Sequence, residues 1–108
     1  MSDEGTAPTE DVVRLGGNIE LSGFKNFDGG SMVILRKIIG NYSRKLSDRL
    51  EGYEGVSVRV KPVHGEQSNI FDVSTKLHES GRIVASNVTE RNIFVAVDAA
   101  LKKLEREL

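Results

Sequence analysis

The fold turns on residues 81–108, GRIVASNVTERNIFVAVDAALKKLEREL, because the spacing of the apolar residues changes partway along this stretch. Residues 81–88 read as a strand. Beyond them Ile93, Val97, Ala100, Leu101, Leu104 and Leu108 recur at steps of three and four, which lines them up on one side of a helix. Such a stripe needs an apolar surface to cover. Thr89 is the predicted N-cap, with Asn92 as the alternative. Asp98 precedes Lys102 by four residues, the favourable order for a surface ion pair worth a few tenths of a kcal/mol.

Working back from that stretch, the connection from His78 to Arg82 contains Gly81 and has hairpin length, so the strand before it should pair antiparallel with residues 81–88. That strand is marked by Phe71, Val73, Thr75 and Leu77 alternating with Asp72, Ser74, Lys76 and His78. A loop around Gly65 to Asn69 separates it from another alternating run, Val56, Val58 and Val60 against Ser57, Arg59 and Lys61, which Pro62 should end or place at an edge. Upstream, Leu35, Ile38, Ile39, Tyr42, Leu46 and Leu50 define a helix that Ser31 is positioned to cap. Gly40 lies inside that helix at a cost of about 1 kcal/mol, so a kink or a close helix contact is expected there. Residues 18–23, NIELSG, give the first strand.

The order β-α-β-β-β-α implies a helical crossover between parallel strands, followed by an antiparallel meander. The expected fold is an α/β (α+β) two-layer sandwich, similar to a double-stranded RNA-binding domain. It has a four-stranded mixed sheet with two helices on one face, and the other sheet face is polar. Residues 1–14 are expected to be a disordered acidic tail and residues 15–108 a single domain.

Composition narrows the function. The 108 residues contain no cysteine, which excludes disulfides and thiolate metal sites. No apolar run is long enough to span a bilayer and no signal peptide is evident, so a cytoplasmic protein is expected. The net charge of −1 conceals an uneven distribution. Four of the 16 acids lie within residues 1–11, which hold no base, so the remaining 12 face all 15 bases and residues 12–108 carry +3. That is mildly basic for a nucleic-acid partner.

Across residues 18–108 the chain resembles the ribosome hibernation promoting factors and protein Y, a family of ribosome-associated translation inhibitors. The family's opening strand is matched by residues 18–23, and its KL-rich first-helix ending by Lys45-LSDRLE-Gly52. The most specific match is the last helix, where Asn92, Ile93, Phe94, Ala96, Val97 and Asp98 precede Lys103, Leu104, Glu105 and Arg106. Two features depart from the pattern: the start of the first helix, Phe27-DGG-Ser31, is longer by about a turn, and the turn before the last helix holds one extra residue. Residues 18–108 hold no counterpart of the extended C-terminal domain that the resemblance ties to ribosome dimerisation, so a short form is expected.

The resemblance implies a stress-response factor that occupies the small ribosomal subunit near the decoding channel and holds the ribosome inactive. Such a partner calls for cations that neutralise phosphates. By helical spacing Lys37, Arg44, Lys45 and Arg49 share a polar face on the first helix, and Lys102, Lys103 and Arg106 are the candidates on the second. If the helices lie side by side, these seven form one stripe. A rival set, Arg59, Lys61, Lys76 and His78, lies on the open sheet face. The aromatics Phe71, Tyr42 and Phe94 fit the core by phase, which argues against stacking on single-stranded bases and for phosphate and shape recognition of folded RNA.

Catalysis is not expected. His64 and His78 have no paired ligand spacing, the glycine pairs at 16–17 and 29–30 belong to no nucleotide-binding pattern, and Asp72 and Glu79 lack anything to raise a carboxyl pKa. No cofactor, metal, membrane or small-molecule substrate is expected, and the chain should be monomeric. The alternatives are a double-stranded RNA-binding module acting off the ribosome and a protein-interaction domain that binds no RNA.

Overall fold

Alternating valines build the centre of the sheet. The computed structural model describes residues 11–64 and 69–108, which form strands β1 (Val12–Leu15), β2 (Ile19–Ser22), β3 (Tyr53–Pro62), β4 (Phe71–Glu79) and β5 (Arg82–Glu90), with helices α1 (Gly29–Arg49) and α2 (Ile93–Arg106). The strands lie in chain order across one sheet, with β2 and β3 parallel through the α1 crossover and every other pair antiparallel. Val56, Val58 and Val60 of β3 sit beside Val73, Thr75 and Leu77 of β4 on the buried face. Leu35, Ile39 and Leu46 of α1 and Ala96, Val97, Ala100, Leu101 and Leu104 of α2 close over them as one core.

The sheet has five strands where four were expected. Val12–Leu15 is only four residues long and follows the acidic stretch, so it reads as tail; yet it pairs in register with β2, Val13 opposite Leu21 and Leu15 opposite Ile19. The reversal is made by Gly17 and Asn18, both at positive φ (77° and 60°), the backbone region that Gly and Asn tolerate best. The tail expected over residues 1–14 therefore contributes a strand at its end, while residues 1–10 lie outside the described residues, as does most of the expected Gly65–Asn69 loop.

The helix ends also differ from expectation, for identifiable reasons. Asp28, not Ser31, caps α1: its Oδ1 accepts from the Ser31 N–H at 2.6 Å, and that bond holds its carboxyl below the usual value. Asn92, not Thr89, caps α2 by accepting from the Phe94 and Val95 N–H groups, because β5 runs through Glu90 and keeps Thr89 in the ladder. The β4–β5 hairpin closes on Ser80 and Gly81, φ 51° and 80°, the pair of positive values that a two-residue turn of the favoured hand requires. At Gly23 an added Cβ would strike the Val60 carbonyl, so this glycine lets β2 leave the sheet close against β3.

Two buried polar relays tie the layers together. The Thr75 hydroxyl donates to Ser86, whose hydroxyl donates to the Ala100 carbonyl at 2.7 Å, linking β4 and β5 to α2. Ser43 of α1 is buried because its hydroxyl donates to the Tyr53 hydroxyl (2.7 Å). Tyr53 in turn donates to the Gly17 carbonyl (2.9 Å). The close helix contact expected at Gly40 is not there: α1 is continuous through it, and among the described residues a Cβ would meet nothing within 4 Å.

Candidate nucleic-acid interface

The two helices lie side by side over the sheet and concentrate positive charge. The segment Gly29–Arg49 carries five bases and one acid, and Ile93–Arg106 carries three bases and two acids, so the helical layer holds +5. On the five strands the five bases and five acids cancel. The chain's modest net charge therefore conceals a one-sided molecule, basic over the helices and neutral over the sheet.

The structure sorts the seven predicted cations by partner. Lys45 and Arg49 both reach across to the Glu105 carboxylate, at 3.7 and 3.2 Å, and Lys102 pairs with Asp98 at 3.4 Å as its spacing predicts. Between these pairs the Tyr42 hydroxyl donates to Asp98 at 3.1 Å, with the Lys45 ammonium 4.9 Å from the centre of the Tyr42 ring. Partial burial, the bond to Asp98 and the charges of Asp98 and Glu105 push the Tyr42 phenol up to about 12. This seam brings Lys45, Arg49 and Lys102 together, but two carboxylates leave it with only one net positive charge.

The remaining four make no ion pair with the seam carboxylates. Arg44 lines a cleft against the Gly16–Gly17 turn, and Lys37 is exposed; neither makes an ion pair among the described residues. Lys103 folds back over the sheet edge, where its ammonium donates to the Asn87 carbonyl at 3.2 Å. That position blunts the exposed edge of β5. Arg106 is exposed in the last turn of α2, where a cation suits the helix dipole. Arg36 was missed by the sequence reading. It lies four residues before Gly40 and eight before Arg44, hence on the same side of α1, and it too makes no ion pair among the described residues. Arg36, Lys37 and Arg44 are thus the α1 cations that need exchange no carboxylate partner to meet a phosphate.

The rival sheet face is less suited to a polyanion. Lys61 lies opposite Asp72 and Arg59 opposite Ser74, and Arg14 pairs with Glu20 at 3.0 Å, so acids are interleaved with the bases. The expected inward placement of the aromatics holds for Phe71, which stacks obliquely on Phe27 at 5.7 Å, while Phe27 meets the buried Phe24 at 5.9 Å. Tyr42 and Phe94 are half-buried against the same core. Among the described residues no cluster of His, Asp and Glu is arranged to hold a metal ion, and no helix is long and apolar enough to cross a membrane.

No family model and no curated protein matches the chain. Solved structures do. A ribosomal subunit interface protein from Coxiella burnetii superposes with a TM-score of 0.56 at 12% identity, over 84% of this chain and 90% of that one. The N-terminal domain of protein Y from Thermus thermophilus superposes with a TM-score of 0.53 at 13% identity, over 82% and 89%. At such identities the likeness is one of fold, and the chain has a hibernation-promoting-factor-like fold.

Proposed function

We propose that this protein is a non-enzymatic ribosome-binding factor. It contacts small-subunit ribosomal RNA through its helical layer and holds the ribosome inactive under stress. The observation that carries this reading is the charge asymmetry, +5 over the helices against zero over the strands. It occurs on a fold shared with a ribosomal subunit interface protein. A rigid helical pair presenting cations without exposed stacking aromatics suits phosphate and shape recognition of folded RNA. In this reading the protein acts in the cytoplasm as a monomer, and Arg36 joins the seven cations predicted from the sequence.

Sucrose-gradient co-sedimentation tests the reading. The protein should travel with small subunits and whole ribosomes at low salt, and dissociate with a log–log salt slope of about −0.7 to −0.9 per phosphate contacted. Charge reversal at Arg36, Lys37 and Arg44 should abolish association, while reversal at Arg59, Lys61 and Lys76 should leave it intact. Loss only in the second variant would transfer the interface to the sheet. Absence from ribosomal fractions, together with tight binding to a plain RNA duplex, would support the off-ribosome module, which the same cation array also suits.

A further inference from the structure

We propose that the cleft between the Gly16–Gly17 turn and α1 receives one unpaired nucleotide of a folded RNA, its phosphate on Arg44 and its sugar and base against the bare helix backbone at Gly40. This rests on the reading that the partner is RNA and adds a specific receptor to the general attraction of the helical layer.

The first argument is that the fold does not need two of the three glycines that line the cleft, Gly16 and Gly40. Gly40 is helical and α1 is continuous through it, yet among the described residues a Cβ at Gly40 or at Gly16 would meet nothing within 4 Å. A helix-interior glycine that weakens its helix and avoids no internal clash is accounted for by something that approaches the backbone from outside. The cleft measures about 300 Å³, at the lower end of the range for small-ligand sites.

The second argument is that its walls are fixed before any ligand arrives. Ser43 donates to Tyr53 and Tyr53 to the Gly17 carbonyl, so α1, β3 and the turn are pinned to one another at 2.7 and 2.9 Å. The third is chemistry. Among the described residues Arg44 is the one charged residue lining the cleft, and no carboxylate lines it. Ile19 and Tyr53 supply an apolar floor, and the exposed Ser47 hydroxyl is available to a ribose. An anion joined to a weakly polar ring system fits that lining. Arg36 lies one helical turn before Gly40 and Arg44 one turn after it, spaced about 6 Å to either side along the axis, so the flanking phosphates of a continuous strand also find a cation. A free nucleotide would leave that second cation unused.

The test compares two RNA hairpins, one fully paired and one with a single-nucleotide bulge, binding to the intact chain and to Gly40→Ala and Gly40→Leu. Wild type should prefer the bulged hairpin about tenfold. Gly40→Leu should bind both equally, with the bulged hairpin's salt slope falling to that of the paired one, because the phosphate contact at Arg44 is lost while no protein charge is altered. Both variants should melt a few degrees higher than wild type, since either residue is a better helix former than glycine, and this separates a filled cleft from a damaged fold. A preference that survives in Gly40→Leu, or is absent in wild type, overturns the inference. Displacement of the bulged hairpin by micromolar nucleoside monophosphate overturns the assignment to an RNA strand. Co-sedimentation is read separately: wild type missing from ribosomes despite a bulge preference defeats only the ribosomal reading, and ribosome association without any bulge preference defeats only the cleft.

Discussion

Substituting Glu105 with Gln tests whether the seam cations face RNA. Glu105 holds Lys45 and Arg49 at 3.7 and 3.2 Å; its own side chain is 21% exposed, while the two cations are 57% and 53% exposed. Exposed pairs of this kind contribute about 0.2–1 kcal/mol each, and Gln can still accept from Arg49, so the stability loss should stay near ~1 kcal/mol. For a chain of this size that lowers Tm by roughly 4–8 °C. The helical layer meanwhile rises from +5 to +6, counted from the same residues, and two cations lose their shared carboxylate. Each new phosphate contact steepens the log–log salt slope by about 0.7–0.9, worth about threefold in affinity over a fourfold dilution of salt. The assay is ribosome co-sedimentation across a salt series, with thermal melting in parallel. Glu20→Gln is the control: it raises net charge equally but releases Arg14 on the opposite face. Tighter binding and a steeper slope in Glu105→Gln alone are expected. Unchanged or weaker binding by a folded Glu105→Gln protein, or an equal gain in Glu20→Gln, would refute a contact through the seam.

The raised phenol of Tyr42 makes stability depend on pH in the alkaline range. The folded state holds that proton more tightly than the unfolded chain, whose value is 10.0, so this contribution is complete below pH 10 and is lost as pH rises toward about 12. Urea denaturation across pH 9–11.5 should show a steeper decline in wild type than in Tyr42→Phe; parallel curves would remove the role of Asp98 and Glu105. In the core relay, Ser86→Ala strands the Thr75 hydroxyl and should cost about 1–3 kcal/mol by urea denaturation. The double variant Thr75→Val with Ser86→Ala should recover part of that loss, because neither unmet partner remains.

What the sequence shows and what it hides follow from the range of the interactions involved. The alternation of Val56, Val58 and Val60 and the stripe from Ile93 to Leu104 are local consequences of burying one face, so both were legible and both are realised. The strand Val12–Leu15 was not, because four residues carry too little alternation, and what fixes it is its pairing with β2. Nothing local marks Ser43 as a tie between elements either: the partner that satisfies its hydroxyl is Tyr53, on a different element. The interface shows this most sharply. Helical spacing indicates which cations share a side of one helix, but not that Glu105 on the other helix engages two of them, nor that Lys103 turns away to the edge of β5. Charge that a single-helix reading counts as available is therefore partly neutralised across the seam. Lys37 and Arg44, together with Arg36, which that reading left out, remain without ion-pair partners among the described residues. Because an unpaired guanidinium meets a phosphate without first giving up a carboxylate, the proposed RNA contact puts its strongest interactions on the α1 side of the helical layer, beside the Gly40 cleft, with the seam as a reserve of charge that Glu105 holds in check.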